Sequence, residues 1–323
     1  MKKNIDIKDF ELLNKSTKNI INDILDSTKK RISREKSTNT IRAYSADLDH
    51  FTTWCTEKGV NSVPVDDEIF AIYLTSLAIS GYKTSTIYRK MSAISHAHIV
   101  NGFKRPKTVS IRKIILGIED VYGNEEVIKT PVPVDLLKVM LSKVQLKLKG
   151  TRDKAILLIG FSGALRRSEL VAINVEDISF NDKGIEVIIR KSNNNQNKSC
   201  EKLVIHYGNC IDTCPARAVQ DLITLSGIKS GPLFRCNYRI GSNRLNDRAV
   251  TLMLKRYVKA AGFDEKLFSS QSLRSGFIIT ATKAGYNDQS IMVRSRYNTS
   301  VMIRKYTALA EALHETEVKN IGL

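Results

Sequence analysis

Apolar side chains recur at steps of three and four along the first part of the chain, and that spacing restricts the fold more than any other feature. Ile41, Tyr44, Leu48, Phe51 and Trp54 form one such stripe. A helix gathers these positions on one face, whereas a strand would scatter them over both. Thr38-Asn39-Thr40 offers the cap that starts this helix. Similar stripes follow: Ile69, Tyr73, Leu74 and Leu77 after Asp66-Asp67, then Ile87, Met91 and Ile94 after a cap at Ser85, then Ile111, Ile114, Ile115 and Ile118. Asn101-Gly102 and Pro106 punctuate them. Upstream, Leu12, Leu13, Ile20, Ile21, Ile24 and Leu25 predict one more helix within residues 1–36. Residues 1–121 therefore read as an all-helical unit.

Residues 122–133 read as a connector, with Gly123-Asn124, Glu125-Glu126 and the prolines 131 and 133. The pattern then changes. Asp135 is placed to cap a helix carrying Leu136, Leu137, Met140 and Leu141, Gly150-Thr151 to end it, and Asp153 to start the apolar helix Ala155–Phe161. Ile185, Val187 and Ile189 recur at every second position after the turn Asn181–Gly184, which reads as a turn into a strand, and Leu203–His206 is a second strand candidate. Asn193–Lys198 reads as a loop. Helices resume at Pro215, at Asp247 (Val250, Met253, Leu254, Tyr257) and from Ser272 onward. The fold class is mostly α, with residues 134–323 forming a mainly helical second domain around a small antiparallel sheet.

Charge narrows the class of partner. Lys and Arg number 51 against 33 Asp and Glu, a net +18, which points to a polyanion. Lys83, Thr84, Thr86, Tyr88, Arg89 and Lys90 cluster where the fourth helix begins, and hydroxyls and cations at a helix start suit phosphate. No aromatic platform for stacking bases is evident, which disfavours RNA. Cys55, Cys200, Cys210, Cys214 and Cys236 are scattered. Cys210 and Cys214 lie near His206, but no second pair is spaced to complete a zinc site, and Thr213-Cys214-Pro215 reads as a helix cap and first turn. No metal and no cofactor are expected. No apolar run reaches membrane-spanning length and Met1–Asp6 lacks a signal-peptide core, so a cytoplasmic address is expected.

Three separated boxes carry chemistry. The first is Gly163-Ala-Leu-Arg166-Arg167-Ser168-Glu169-Leu170, the second Gln271-Ser-Leu-Arg274-Ser-Gly-Phe277, and the third Met302-Ile-Arg-Lys-Tyr306-Thr. Two arginines can clamp one phosphate because guanidinium forks match its oxygens. A phenol aimed at that phosphorus is a nucleophile. In order and approximate spacing these boxes resemble the tyrosine recombinase (phage integrase) family, and the resemblance covers most of the chain. It implies an N-terminal core-binding domain and a C-terminal catalytic domain that together clamp double-stranded DNA. It implies that Tyr306 attacks a DNA phosphate to leave a 3′-phosphotyrosyl bond and a free 5′-hydroxyl, with no need of ATP or metal. Arg166 and Arg274 would hold the non-bridging oxygens, Glu169 would orient its neighbours, and the working assembly would be a homo-tetramer joined through exchanged C-terminal helices.

Three positions depart from the family pattern. A Lys usually follows the strand as general acid, but Asn193 stands where it is expected, leaving Lys191, or Lys198 on the loop, as candidates. Gln271 stands where the family usually has His. Tyr297, in Arg294-Ser-Arg-Tyr297, stands where the family usually has Gly-His, or Trp for the His. Gln and Tyr still offer hydrogen bonds, but Gln moves no proton near neutral pH. The apolar tail, Leu309, Ala312, Leu313, Val318 and Ile321, either folds back on its own core or docks on a neighbouring protomer. Two alternatives stand beside an active site-specific recombinase of a mobile element: a decayed relative that only occupies DNA sites, and a site-tolerant topoisomerase with the same chemistry.

Overall fold

The computed structural model describes residues 38–106, 109–123, 129–145, 147–190, 200–237, 243–297 and 299–308. The helix expected within residues 1–36, Lys191, Asn193, Lys198 and the tail from Leu309 lie outside the described residues. The chain divides into two compact units, with the boundary between Val127 and Ile128.

Among the described residues the first unit holds four helices: α1 (Thr38–Lys58), α2 (Asp67–Ile79), α3 (Thr84–Val100) and α4 (Val109–Tyr122). The predicted stripes supply its core. Leu48, Phe51, Phe70, Tyr73, Leu74, Leu77, Ile87, Ile94, Ile111 and Ile115 are buried together, and Phe51 and Tyr73 meet ring to ring at 4.7 Å. Each fully buried aliphatic or aromatic side chain contributes about 1.5–3 kcal/mol, which is what holds four short helices in one unit. Asp66 is the N-cap of α2, as the sequence predicts. The cap of α3 is Lys83 rather than Ser85.

In the second unit α5 (Val134–Ser142) and α6 (Leu148–Ser162) are followed by the short α7 (Arg167–Ala172). Strands β1 (Ile178–Asn181), β2 (Gly184–Ile189) and β3 (Glu201–His206) form one antiparallel sheet in the order β1-β2-β3. Ile185 faces Ile205 and Val187 faces Leu203 across it, so the alternating residues bury one face. Helices α8 (Pro215–Ser226), α9 (Asp247–Ala260), α10 (Gln271–Lys283) and α11 (Asp288–Ser295) complete the unit, with a last helix α12 over residues 301–308. Cys214 and Pro215 are the cap and first turn of α8 as expected.

Two expectations are corrected here. Asp153 does not start α6 and Gly150 does not end a unit, because both are buried inside that helix. The acid is held in place by charge: Arg152 gives its carboxylate two hydrogen bonds of 2.8 and 3.0 Å, Arg256 one of 2.6 Å and the Tyr257 phenol one of 3.1 Å. Both ends of the expected connector 122–133 are tied to the units beside it. Tyr122 is helical, and Val132 is fully buried with its N–H bonded to Ser272 O at 2.9 Å. Gly276 makes that contact possible, since a Cβ there would land on the Val132 carbonyl oxygen.

Candidate anion socket

The site grows from the turn between α6 and α7. Gly163 ends α6 where a Cβ would meet Ile159 O at 2.9 Å, and Ala164 takes a left-handed backbone, φ 44°. Arg166 then sits at the N-cap of α7. Its N–H donates to Glu169 Oε2 (2.9 Å), its Nη1 to Glu169 Oε1 (2.6 Å) and its Nη2 to Arg296 O (3.0 Å). Glu169 thus closes the first turn of the helix and neutralises part of the charge gathered there. Burial pushes its carboxyl upward, but Arg296 and the Arg166 backbone and side chain outweigh that and hold it below the usual carboxylate range.

Arg274 projects from the first turn of α10 and is fully buried, at 0 % exposure. Its Nη1 donates to Ala164 O at 2.8 Å, and its guanidinium carbon lies 4.2 Å from the centre of the Tyr297 ring. Nε and Nη2 have no hydrogen-bond partner among the described residues. A buried charge with so few partners costs several kcal/mol, of which the desolvated cation–π contact returns about 2. Burial, and then the like charge of Arg166, push the Arg274 pKa down, so an arriving anion relieves both. Gln271, one turn earlier, donates to the Tyr297 phenol oxygen at 2.9 Å. That bond uses the oxygen as acceptor and leaves the phenolic proton available to another acceptor.

The structure therefore brings Arg166, Glu169, Gln271, Arg274 and Tyr297 together, and adds two residues that the sequence reading passed over. Arg296 caps α11 in a left-handed conformation and donates to Gly163 O, Ala164 O, Arg294 O and Glu169. Arg294 reaches Ser162 O at 3.1 Å and also Val204 O, tying α11 to α6 and β3. Their only sequence signal is position, two arginines crowded just before Tyr297.

Tyr306 lies on α12, and at 4 % exposure its side chain is inside an apolar cluster with Ile278, Ile279, Ala281, Ile291 and Ile303. Tyr297 packs against the same cluster. One phenol thus covers Arg274 and adjoins the pocket that holds the other.

The phosphate-facing set expected at the start of α3 is only partly available. Lys83 is exposed and Thr86 half-buried. Thr84 is turned inward and donates to Gly123 O at 2.6 Å. Lys90, 4 % exposed, is paired with Asp47 at 3.4 Å, and Arg89 holds the other Asp47 oxygen at 2.6 Å. Asp47 arrives from α1, so α3 alone gave no sign of it. Among the described residues no His, Cys, Asp or Glu group is arranged to hold a metal, and no helix is long and apolar enough to cross a membrane.

Residues 134–312 match the phage integrase family, and residues 30–98 match the phage integrase N-terminal SAM-like domain. The chain belongs to the phage integrase family of tyrosine recombinases. It is 34% identical to an integrase/recombinase xerD homolog of Selenomonas ruminantium, over 93% of this chain and 90% of that one. It is 24% identical to tyrosine recombinase XerC of Syntrophus aciditrophicus (strain SB), over 86% and 90%. Its fold is that of the XerH site-specific recombinase in a post-cleavage complex with palindromic difH substrate, with TM-score 0.64, 13% identity and coverage of 92% and 94%. The Tn1549 transposon integrase bound to transposon right end DNA has the same fold, with TM-score 0.63, 17% identity and coverage of 91% and 98%.

Proposed function

We propose that this tyrosine recombinase is an active site-specific recombinase or integrase that cuts and rejoins double-stranded DNA through Tyr306. The Tyr306 phenol gives up its proton to solvent, its oxygen attacks the scissile phosphorus, and the bond to the 5′-oxygen breaks. The strand keeps a 3′-phosphotyrosyl link, and the departing 5′-oxygen takes a proton, from Lys191 or Lys198 in this reading. A 5′-hydroxyl of another strand reverses the step, so the number of phosphodiesters is unchanged. Arg166 and Arg274 bind the non-bridging oxygens, and Tyr297, oriented by Gln271, donates a hydrogen bond to one of them. The assembly is a tetramer on two duplexes with exchanged C-terminal helices. Lys83, Thr86 and Arg89 contact the backbone of the duplex from the first unit.

The observation that carries this reading is Arg274: fully buried, charged, and with two guanidinium nitrogens left without partners among the described residues. Such donors are worth most against charge that develops in a transition state. For attack, α12 must turn the buried Tyr306 phenol toward the socket. That burial, with Gln271 in a proton-shuttling position, also supports a second reading in which the chain occupies DNA sites without cutting them. Covalent trapping separates the two. Purified protein is mixed with nicked duplex fragments of its source genome, and the products are denatured and sequenced, with Tyr306→Phe as control. A denaturant-resistant adduct that vanishes in Tyr306→Phe is the expected result. Specific binding with no adduct at any bound site would leave the site-occupying reading.

A further inference from the structure

Arg296 is built into the socket at a conformational cost. Its backbone has φ 56° and ψ 40°, a left-handed geometry that costs a non-glycine residue about 1–2 kcal/mol and glycine almost nothing. Among the described residues only Ala164 shares a positive φ without being glycine. The two are joined, because Arg296 Nη2 donates to Ala164 O at 3.0 Å. Ala164 O is also the acceptor for Arg274 Nη1. The arginine side chain thus braces the carbonyl against which the buried arm of the socket is set.

It also shares a carboxylate with the other arm. Glu169 receives Arg166 Nη1 on Oε1, and the Arg166 N–H together with Arg296 Nη2 on Oε2. The Arg296 and Glu169 side chains are 10 % and 14 % exposed, whereas Arg166 is 44 % exposed. The shielded pair interacts more strongly than the exposed one. A carboxylate facing Arg166 alone would retain it. With Arg296 as a permanent partner, its charge is already balanced.

We infer that Arg296 is a positioning residue that neutralises Glu169, so that Arg166 turns its guanidinium from the carboxylate to an arriving phosphate while Ala164 O and Arg274 stay fixed. The inference rests on the recombinase reading of the same socket. Its test uses the full chain as wild type, Arg296→Gly, Arg296→Lys, and Arg296→Gly combined with Glu169→Gln. Glycine keeps the carbonyl that receives Arg166 and relieves the left-handed backbone. Glutamine keeps an oxygen for the Arg166 N–H and loses the charge. Orthovanadate, a phosphoryl-transfer analogue, is titrated by calorimetry, and adduct formation on nicked duplex and melting temperature are measured alongside.

Arg296→Gly is expected to bind vanadate, and to form adduct, about ten-fold less well, a coupling typical of groups sharing one ion-pair network. Adding Glu169→Gln is expected to restore both to within about three-fold, and Arg296→Lys to lie between glycine and wild type. A purely structural role predicts no recovery with Glu169→Gln, whatever the change in melting temperature. The inference is overturned if Arg296→Gly behaves as wild type, if Glu169→Gln brings no recovery, or if the wild type binds no vanadate. Vanadate binding in the expected order without any adduct overturns the recombinase reading and leaves the role of Arg296 in place.

Discussion

Asp153 and Arg274 are both fully buried charged residues of the second unit, and they are treated in opposite ways. Asp153 receives four hydrogen bonds, from Arg152, Arg256 and Tyr257, so both its oxygens are occupied. Arg274 makes one, to Ala164 O, and keeps two nitrogens without partners among the described residues. Desolvation is costly for both, yet among those residues only one is compensated. A closed charge belongs to the architecture, and an open one is preorganised for something that comes from outside. The same contrast separates Lys90, closed by Asp47, from Arg166, whose exposed guanidinium is held only by contacts that a phosphate can replace.

Substitutions at these two sites test the contrast most severely. Asp153→Ala takes the carboxylate away from buried Arg152, which keeps the carbonyls of Arg235 and Cys236, and is expected to destabilise the second unit by about 3–5 kcal/mol, read as a lower denaturation midpoint at unchanged slope. Equal stability for Asp153→Ala and wild type would break the comparison. Arg274→Met should do the opposite, costing about 10²–10³ in adduct formation while leaving the denaturation midpoint equal or higher, because it removes open donors along with the charge. A large loss of stability in Arg274→Met would place Arg274 with the closed charges.

A smaller effect sharpens the point without mutation of the fold. Vanadate at about a hundred times its dissociation constant should stabilise the wild type by about 2.7 kcal/mol and Arg274→Met not at all, measured as a shift in melting temperature. The smallest effect concerns a closed group in the first unit. Buried His98 donates from Nδ1 to Ile94 O (2.8 Å) and accepts the Val65 N–H at Nε2 (3.0 Å), so a second proton has nowhere to go. Burial lowers its pKa, more than the Ile94 bond raises it. The unfolded chain then binds a proton that the folded unit refuses, so stability is full above the unfolded pKa near 6.5. It falls as pH drops from there toward the folded value, by at most about 1.4 kcal/mol per pH unit. His98→Gln should flatten that part of the stability–pH curve, and an unchanged curve would mean the imidazole is not the group responsible.

Much of this was legible in the sequence, for reasons that can be named. The stripes from Ile41 to Ile118 are local, so their helices follow from spacing alone, and the alternation of Ile185, Val187 and Ile189 likewise gives β2. Strand β1 escaped because three of its four residues are exposed and it shows no alternation to read. Asp153 was misplaced because an Asp before an apolar run resembles a cap, while its partners Arg256 and Tyr257 lie about a hundred residues away in sequence. Lys90 and Thr84 looked like surface ligands because Asp47 and Gly123, which bind them, are on other parts of the fold. The family resemblance singles out Arg166, Gln271, Arg274 and Tyr297 by their places in its pattern, but the partners of Arg296 lie in the first box, more than 120 residues upstream.

The carbonyl of Ala164 has a consequence for how such a chain can drift. Its oxygen has two lone pairs, and Arg274 and Arg296 take both, while its own backbone excludes branched side chains. A neutral path through sequence space therefore cannot treat positions 164, 274 and 296 as independent sites. A lineage that replaces Arg296 leaves one lone pair vacant and an acid at 169 with a single partner, so the next tolerated change should fall at 169. Chance variation at this turn would be inherited as sets of residues.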